Sequence, residues 1–172
     1  MAGFIHVYCG DGKGKTTAAV GLGVRAAGRG KQVFFLQFLK GEDSGERRIL
    51  LKVPGFTVPK LPQQVKFTFQ MSPEEKRQEQ LRYVEYLKMI QKALIQFDVV
   101  ILDEVFGAIS TGMITEQEIV KLLQEKPEQT EVVLTGRNPG EEILSISDYV
   151  SEIKKIKHPF DKGIPAREGI EF

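Results

Sequence analysis

The 172-residue sequence has one cysteine, Cys9, and two histidines. A single cysteine cannot close an internal disulfide, and with two histidines it cannot build a Cys/His zinc site. Neither sign of charge is in excess. Lys plus Arg total 24 and Asp plus Glu 23, a formal net charge of +1. That balance gives no overall basic field, so nucleic acid is not an expected partner. No apolar run approaches the roughly 18 residues of a membrane-spanning helix. A glycine-rich turn arrives by Gly10, too early for a secretory leader, so the expected location is cytoplasmic. No repeat, low-complexity tract or linker interrupts the chain, which reads as one domain over 1–172. Apolar residues make up 41% and charged residues 27%, a composition that argues for a packed core and against disorder.

What is present alternates strand with helix. Phe4 to Cys9, Gln32 to Phe38, Val99 to Leu102 and Glu131 to Leu134 are short apolar runs that read as buried strands. Tyr149 to Ile156 alternates and reads as a last strand, and Val65 to Phe69 as a possible short one. Helices are expected over Lys15 to Ala27, Glu46 to Val53, and Ser72 to about Phe97. In the last, Ser72, Pro73 and Glu75 form a start signal with a capping box. Its apolar stripe is read as Leu81, Val84, Leu87, Ile90 and Leu94. Thr115 and Glu118 repeat the box ahead of a helix reaching Gln124, and Asn138, Pro139 and Glu141 cap a short one. Pro54 to Pro62, with three prolines, reads as loop. The fold class is α/β: a mainly parallel sheet covered on both faces, three layers, with ligands at the carboxyl ends of the strands.

Two motifs fall at such ends. Gly10-Asp11-Gly12-Lys13-Gly14-Lys15-Thr16-Thr17 follows the first strand and opens the first helix. Its glycines let successive backbone N–H groups converge on a phosphate, and the helix dipole adds to the attraction. Lys15 supplies a mobile charge, and the Thr16 hydroxyl can ligate Mg²⁺. Lys13 offers a second cation. The usual pattern has a glycine where Cys9 stands, so the loop departs from it by one residue. The second motif is Asp98-Val99-Val100-Ile101-Leu102-Asp103-Glu104, an apolar strand ending in paired carboxylates. Asp103 or Glu104 can hold Mg²⁺ beside a nucleoside triphosphate. Arg137, just past another strand, can reach the nucleotide. Together these imply a phosphate-loop, RecA-like domain that binds a nucleoside triphosphate with Mg²⁺. They do not fix the reaction, because kinases, motors and switches share them.

Weaker candidates have plain readings. Arg25 reads as a surface arginine and His6 as a satisfied strand histidine. His158 orders the tail, and Cys9 is a small buried residue. Lys154, Lys155 and Lys157 read as a solvated basic face.

The chain closely resembles the bacterial ATP:corrinoid adenosyltransferases. The loop continuing into Ala18-Ala19 carries the match, as do Gln37-Phe38-Leu39-Lys40-Gly41, Ser44-Gly45-Glu46-Arg47, Leu102-Asp103-Glu104 and Leu134-Thr135-Gly136-Arg137. The tail is the most specific part: Lys157-His158-Pro159-Phe160, Gly163-Ile164, Ala166-Arg167 and Gly169-Ile170-Glu171-Phe172. The resemblance implies transfer of the 5′-deoxyadenosyl group of ATP to Co(I) of a corrinoid, with triphosphate leaving, in adenosylcobalamin synthesis or salvage. It implies a nucleotide lying reversed in the loop, so that C5′ is presented. Lys15, Thr16 and Glu104 are then the catalytic set. It also implies a homodimer and an electron-donating reductase. An aromatic pair near the corrinoid falls at Phe67 and Phe69, where the family usually has tryptophan at the second place. This chain has none. Two rivals share the scaffold. A small-molecule kinase would need an arginine-rich lid, and Arg47, Arg48 and Arg77 are scattered in sequence. An ATP-gated corrinoid carrier would bind both ligands without turnover.

Overall fold

The computed structural model describes residues 2–63, 65 and 71–171. Its strands are β1 (Ile5–Cys9), β2 (Val33–Gln37), β3 (Phe56–Thr57), β4 (Val99–Asp103), β5 (Glu131–Thr135) and β6 (Tyr149–Glu152). Among the described residues they form one all-parallel sheet, in the order β3-β2-β4-β5-β1-β6. The helices are α1 (Lys15–Ala27), α2 (Gly45–Leu50), α3 (Pro73–Gln96), α4 (Val105–Ser110), α5 (Glu116–Gln124) and α6 (Glu141–Ser145).

Strand pleating sends alternate residues to opposite faces. Val7, Phe34, Leu36, Val100, Leu102, Val132 and Leu134 go to one side, where α3, α4, α5 and α6 supply Tyr83, Ile90, Phe106, Ile119 and Ile143. Val33, Phe35, Val99, Ile101 and Val133 go to the other, against Ala19 of α1 and Leu50 of α2. Both faces of β2 and β4 are buried, which explains their unbroken apolar runs. α1 approaches closely because Gly23 has no side chain. A Cβ there would stand 2.8 Å from the Phe56 ring and 2.9 Å from Ile101 Cδ1.

The expected strands and long helices are present, with informative differences. α3 starts at the Ser72 capping box, both halves of which form. Its buried face keeps Ile90, Leu94 and part of Leu87 from the expected stripe but not its first two residues. Leu81 is 62% exposed and Val84 45%, whereas Tyr83, Tyr86, Ile90, Ala93 and Leu94 are buried. The tyrosines form a ring cluster with Phe38, at centroid distances of 5.8 Å for Phe38–Tyr83 and 5.4 Å for Tyr83–Tyr86. A polar tip does not keep a tyrosine body out of a core. Ile90→Ala should therefore cost about 2–5 kcal/mol of stability, and Leu81→Ala less than about 0.5 kcal/mol. Urea melts of the two variants measure the contrast.

α4 carries no helix-start signal, because no Ser, Thr, Asp or Asn stands at its N-cap position. Its N-cap is Glu104, at φ 60°. β3 falls inside the expected loop Pro54 to Pro62, α2 ends at Leu50 rather than Val53, and β6 ends at Glu152 rather than Ile156. The N-cap of α6 is Gly140 instead of Asn138. Val65 is not in a strand, and the rest of the segment to Phe69 lies outside the described residues. His6 bonds Glu131 and stacks on Tyr149, as a satisfied strand histidine should. β5 lies between β1 and β4. The glycine-rich loop and the acidic strand end therefore open on the same edge of the sheet, one strand apart.

Candidate active site

The loop's curl begins with backbone dihedrals. Gly10 has φ 107° and Gly14 φ 119°, a region side chains disfavour. Gly14 is the N-cap of the 13-residue α1, and no side chain caps it. The helix's first N–H groups are thus left for an anion. The chain beyond β6 runs along the outside of the loop. Gly12 N–H donates to Ile153 O at 2.7 Å, and Ile153 N–H to Cys9 O at 2.8 Å. A Cβ on Gly12 would meet Ile153 O at 2.7 Å. Asp11 closes the same seam by accepting the Lys155 N–H at 2.9 Å. That bond holds its carboxyl below the usual range.

Two lysines of the loop face the hollow. Lys15 is buried and donates from Nζ to Gly12 O at 2.8 Å. Burial depresses its pKa, and Arg137 adds to the effect against the pull of Glu104 and Asp103. Lys13 pairs with Glu171 at 3.2 Å. Arg167 donates to the same carboxylate from Nη2 at 3.0 Å. The tail that carried the family resemblance thus returns to the loop.

The carboxylates of the strand end have separate surroundings. Asp103 is fully buried. Its Oδ1 accepts from the Thr135 hydroxyl at 2.7 Å and its Oδ2 from the Gln37 amide at 2.9 Å. Thr135 Oγ1 in turn accepts the Glu104 N–H at 2.9 Å. The left-handed turn at Glu104 leaves its carboxylate on a cavity of about 490 Å³. Burial and then the charge of Asp103 push that carboxyl up, against Lys15, Lys40 and Arg137. Asp103 therefore serves the scaffold, and Glu104 faces the ligand space.

The cavity collects Asp11 through Thr17, Glu104 and Arg137 from the expected site residues. Gly10 and Asp103 stand behind it. Phe67 and Phe69 lie outside the described residues. Lys40, Glu46, His158 and Glu171 also line it; the sequence reads His158 as ordering the tail and places the other three only within the segments of the family resemblance. Gln37 is the signal that marks this wall: a polar residue closing a strand that is otherwise all apolar. Among the described residues no group of three His, Cys, Asp or Glu forms a metal cluster. Mg²⁺ at a phosphate site needs only one or two carboxylates besides the phosphates, so Thr16 with Glu104 is a sufficient donor set.

A glycine-rich loop at the end of β1, an acidic end of β4 and a shared hollow define an α/β domain in which uncapped helix N–H groups and lysines share a cavity with a carboxylate. The family model described as ATP:corrinoid adenosyltransferase BtuR/CobO/CobP matches residues 1–172, and the chain belongs to that family. It is 36% identical over 170 residues to the corrinoid adenosyltransferase of Escherichia coli K12, covering 99% of this chain and 86% of the relative. It is 34% identical over 172 residues to corrinoid adenosyltransferase CobA of Salmonella typhimurium, with the same coverage. A Sinorhizobium corrinoid adenosyltransferase is 37% identical over 175 residues, covering 99% of this chain and 80% of the relative. The activity is accordingly adenosyl transfer from ATP to a corrinoid, in cobalamin metabolism.

Proposed function

We propose that the glycine-rich loop holds the triphosphate of ATP as a leaving group while Co(I) of the corrinoid attacks C5′ of the ribose. The cobalt electron pair forms the Co–C5′ bond, the C5′–O5′ bond breaks, and the oxygen departs with the triphosphate. No proton has to be removed, so no histidine or serine base is required. The work of the protein is alignment and charge. Alignment of two reactants contributes up to about 7–11 kcal/mol. Lys15, Lys13, Arg137 and the N–H groups of α1 meet the charge that grows on the leaving oxygens. Thr16 and Glu104 are the residues that would hold Mg²⁺, which neutralises part of that charge.

The observation that carries this reading is the cavity bounded by Asp11 through Thr17, with Glu104 and Arg137 across from them. The kinase reading finds less support. Arg47 is buried with Nη2 on Pro59 O, and Arg48 pairs with Asp43. Neither offers a lid. The proposal includes a cytoplasmic homodimer served by a reductase, with Phe67 and Phe69 against the corrinoid. Phe69→Ala should then impair use of Co(II) corrinoid with a reductant at least about tenfold more than use of prereduced Co(I). Equal losses would remove the pair from cobalt activation.

The deciding assay is anaerobic, with ATP, Mg²⁺ and chemically reduced Co(I) cobalamin. A light-sensitive cobalt–carbon product appearing with triphosphate is the expected result. ADP, formed only when another acceptor is supplied, would mean a kinase.

A further inference from the structure

Glu46 lines the ligand cavity from the first turn of α2, and nothing in the mechanism above uses it. It is held firmly. Gln37 is fully buried and has every polar atom engaged. Its Oε1 accepts from the Ser44 hydroxyl at 3.0 Å. Its Nε2 donates to Glu46 Oε1 at 2.7 Å and to Asp103 Oδ2 at 2.9 Å. Two carboxylates on one side fix which end of the amide carries the donors. Lys40 adds a longer contact to Glu46 Oε1, at 3.4 Å. Both side-chain partners take Oε1, and no other described side chain takes Oε2. Burial alone would raise the Glu46 carboxyl, but the Gln37 bond, its own backbone and Lys40 outweigh burial and keep it below the ordinary range.

A fixed, ionised carboxylate is a poor wall for a polyanion. It suits a neutral group that carries O–H donors. The loop takes the phosphates, and the ribose follows them directly in ATP. Its 2′ and 3′ hydroxyls are the only hydroxyls of the adenosyl group, and a carboxylate is a common acceptor for them. We infer that Glu46 reads the ribose of the nucleotide, accepting a hydrogen bond from a sugar hydroxyl and so fixing the ring that presents C5′. This rests on the adenosyl-transfer reading, because the same contact would then orient the carbon under attack.

Calorimetry without corrinoid tests it on the whole chain, with Mg²⁺ present and four probes: ATP, 2′-deoxy-ATP, 3′-deoxy-ATP and tripolyphosphate. Wild type should bind ATP at least about tenfold more tightly than one of the deoxy analogues, the size expected of a hydrogen bond to a charged group. Glu46→Ala and Glu46→Gln should lose that preference and bind Mg-tripolyphosphate as wild type does. A preference that survives in both variants would overturn the inference. So would equal weakening of tripolyphosphate, which places Glu46 on the metal's water instead. If wild type binds tripolyphosphate but gains nothing from the nucleoside, this inference falls, while the adenosyl-transfer reading is tested separately by the cobalamin assay above.

Discussion

Lys15→Ala should lose about a thousandfold in kcat/KM and keep its fold, since one preorganised donor to a developing charge is worth about 10²–10³ in rate. Lys15 is buried, and its Nζ donates to a loop carbonyl, Gly12 O. A buried ammonium held by a carbonyl is poorly compensated without an anion. Its removal should leave the melting temperature unchanged or raise it. Lys15→Arg should not restore activity, because a planar fork does not replace a compact charge in a hollow closed by Gly12 and Gly14. Burial depresses the Lys15 pKa. The charge needed for catalysis is thus lost at a lower pH than for an ordinary lysine, and the alkaline limb of kcat/KM should begin early. Anaerobic kinetics with prereduced cobalamin, paired with thermal melts, measures both effects. Near-normal turnover in Lys15→Ala would remove the lysine from the mechanism.

The loop and the acidic strand end were legible because each is a local pattern. Backbone curl, helix start and the Lys15 charge sit within a few residues of one another. The same holds for the strands, whose β-branched runs needed no partner to be recognised. The other wall of the cavity is a long-range product. Gln37 meets Asp103 across the β2–β4 pairing, and Glu46 joins them from α2. No spacing in the sequence announces that meeting. Glu171 reaches Lys13 across the length of the chain, a contact made only because β6 lies beside β1. The departure of the N-terminal half of the α3 stripe has another cause. Periodicity weighed Leu81 and Val84 by hydropathy, while packing chose the larger rings of Tyr83 and Tyr86. Likewise the bend at Glu104 comes from tertiary bonds through Thr135, not from a helix-starting residue.

Asp103 and Glu104 are adjacent carboxylates expected to fail in different ways. Asp103→Ala strips the acceptor from the Thr135 hydroxyl and from one donor of the Gln37 amide, at a fully buried place. The cost should be about 1–3 kcal/mol of stability, the order set by leaving buried polar groups without a partner. Activity should fall only as the strand end loosens. Glu104→Gln should do the reverse. Burial and the charge of Asp103 raise the Glu104 carboxyl, so the folded protein favours its protonated form more than the unfolded chain does. By linkage, its ionisation lowers stability as pH rises through that range. A neutral glutamine avoids this, so the variant should melt at or above wild type at neutral pH. The difference should vanish once pH falls below the ordinary carboxylate range. Its loss should appear in the metal dependence, with about 10–100-fold more Mg²⁺ needed for half-maximal rate, the usual scale for a disturbed metal site. In wild type the same raised carboxyl lets protons compete with Mg²⁺ at higher pH than an ordinary glutamate allows. Thermal melts across pH and Mg²⁺ titrations of the rate separate the two roles. An Asp103→Ala protein with an unchanged melting temperature and a raised Mg²⁺ requirement would exchange them, making Asp103 the metal's carboxylate and Glu104 its support.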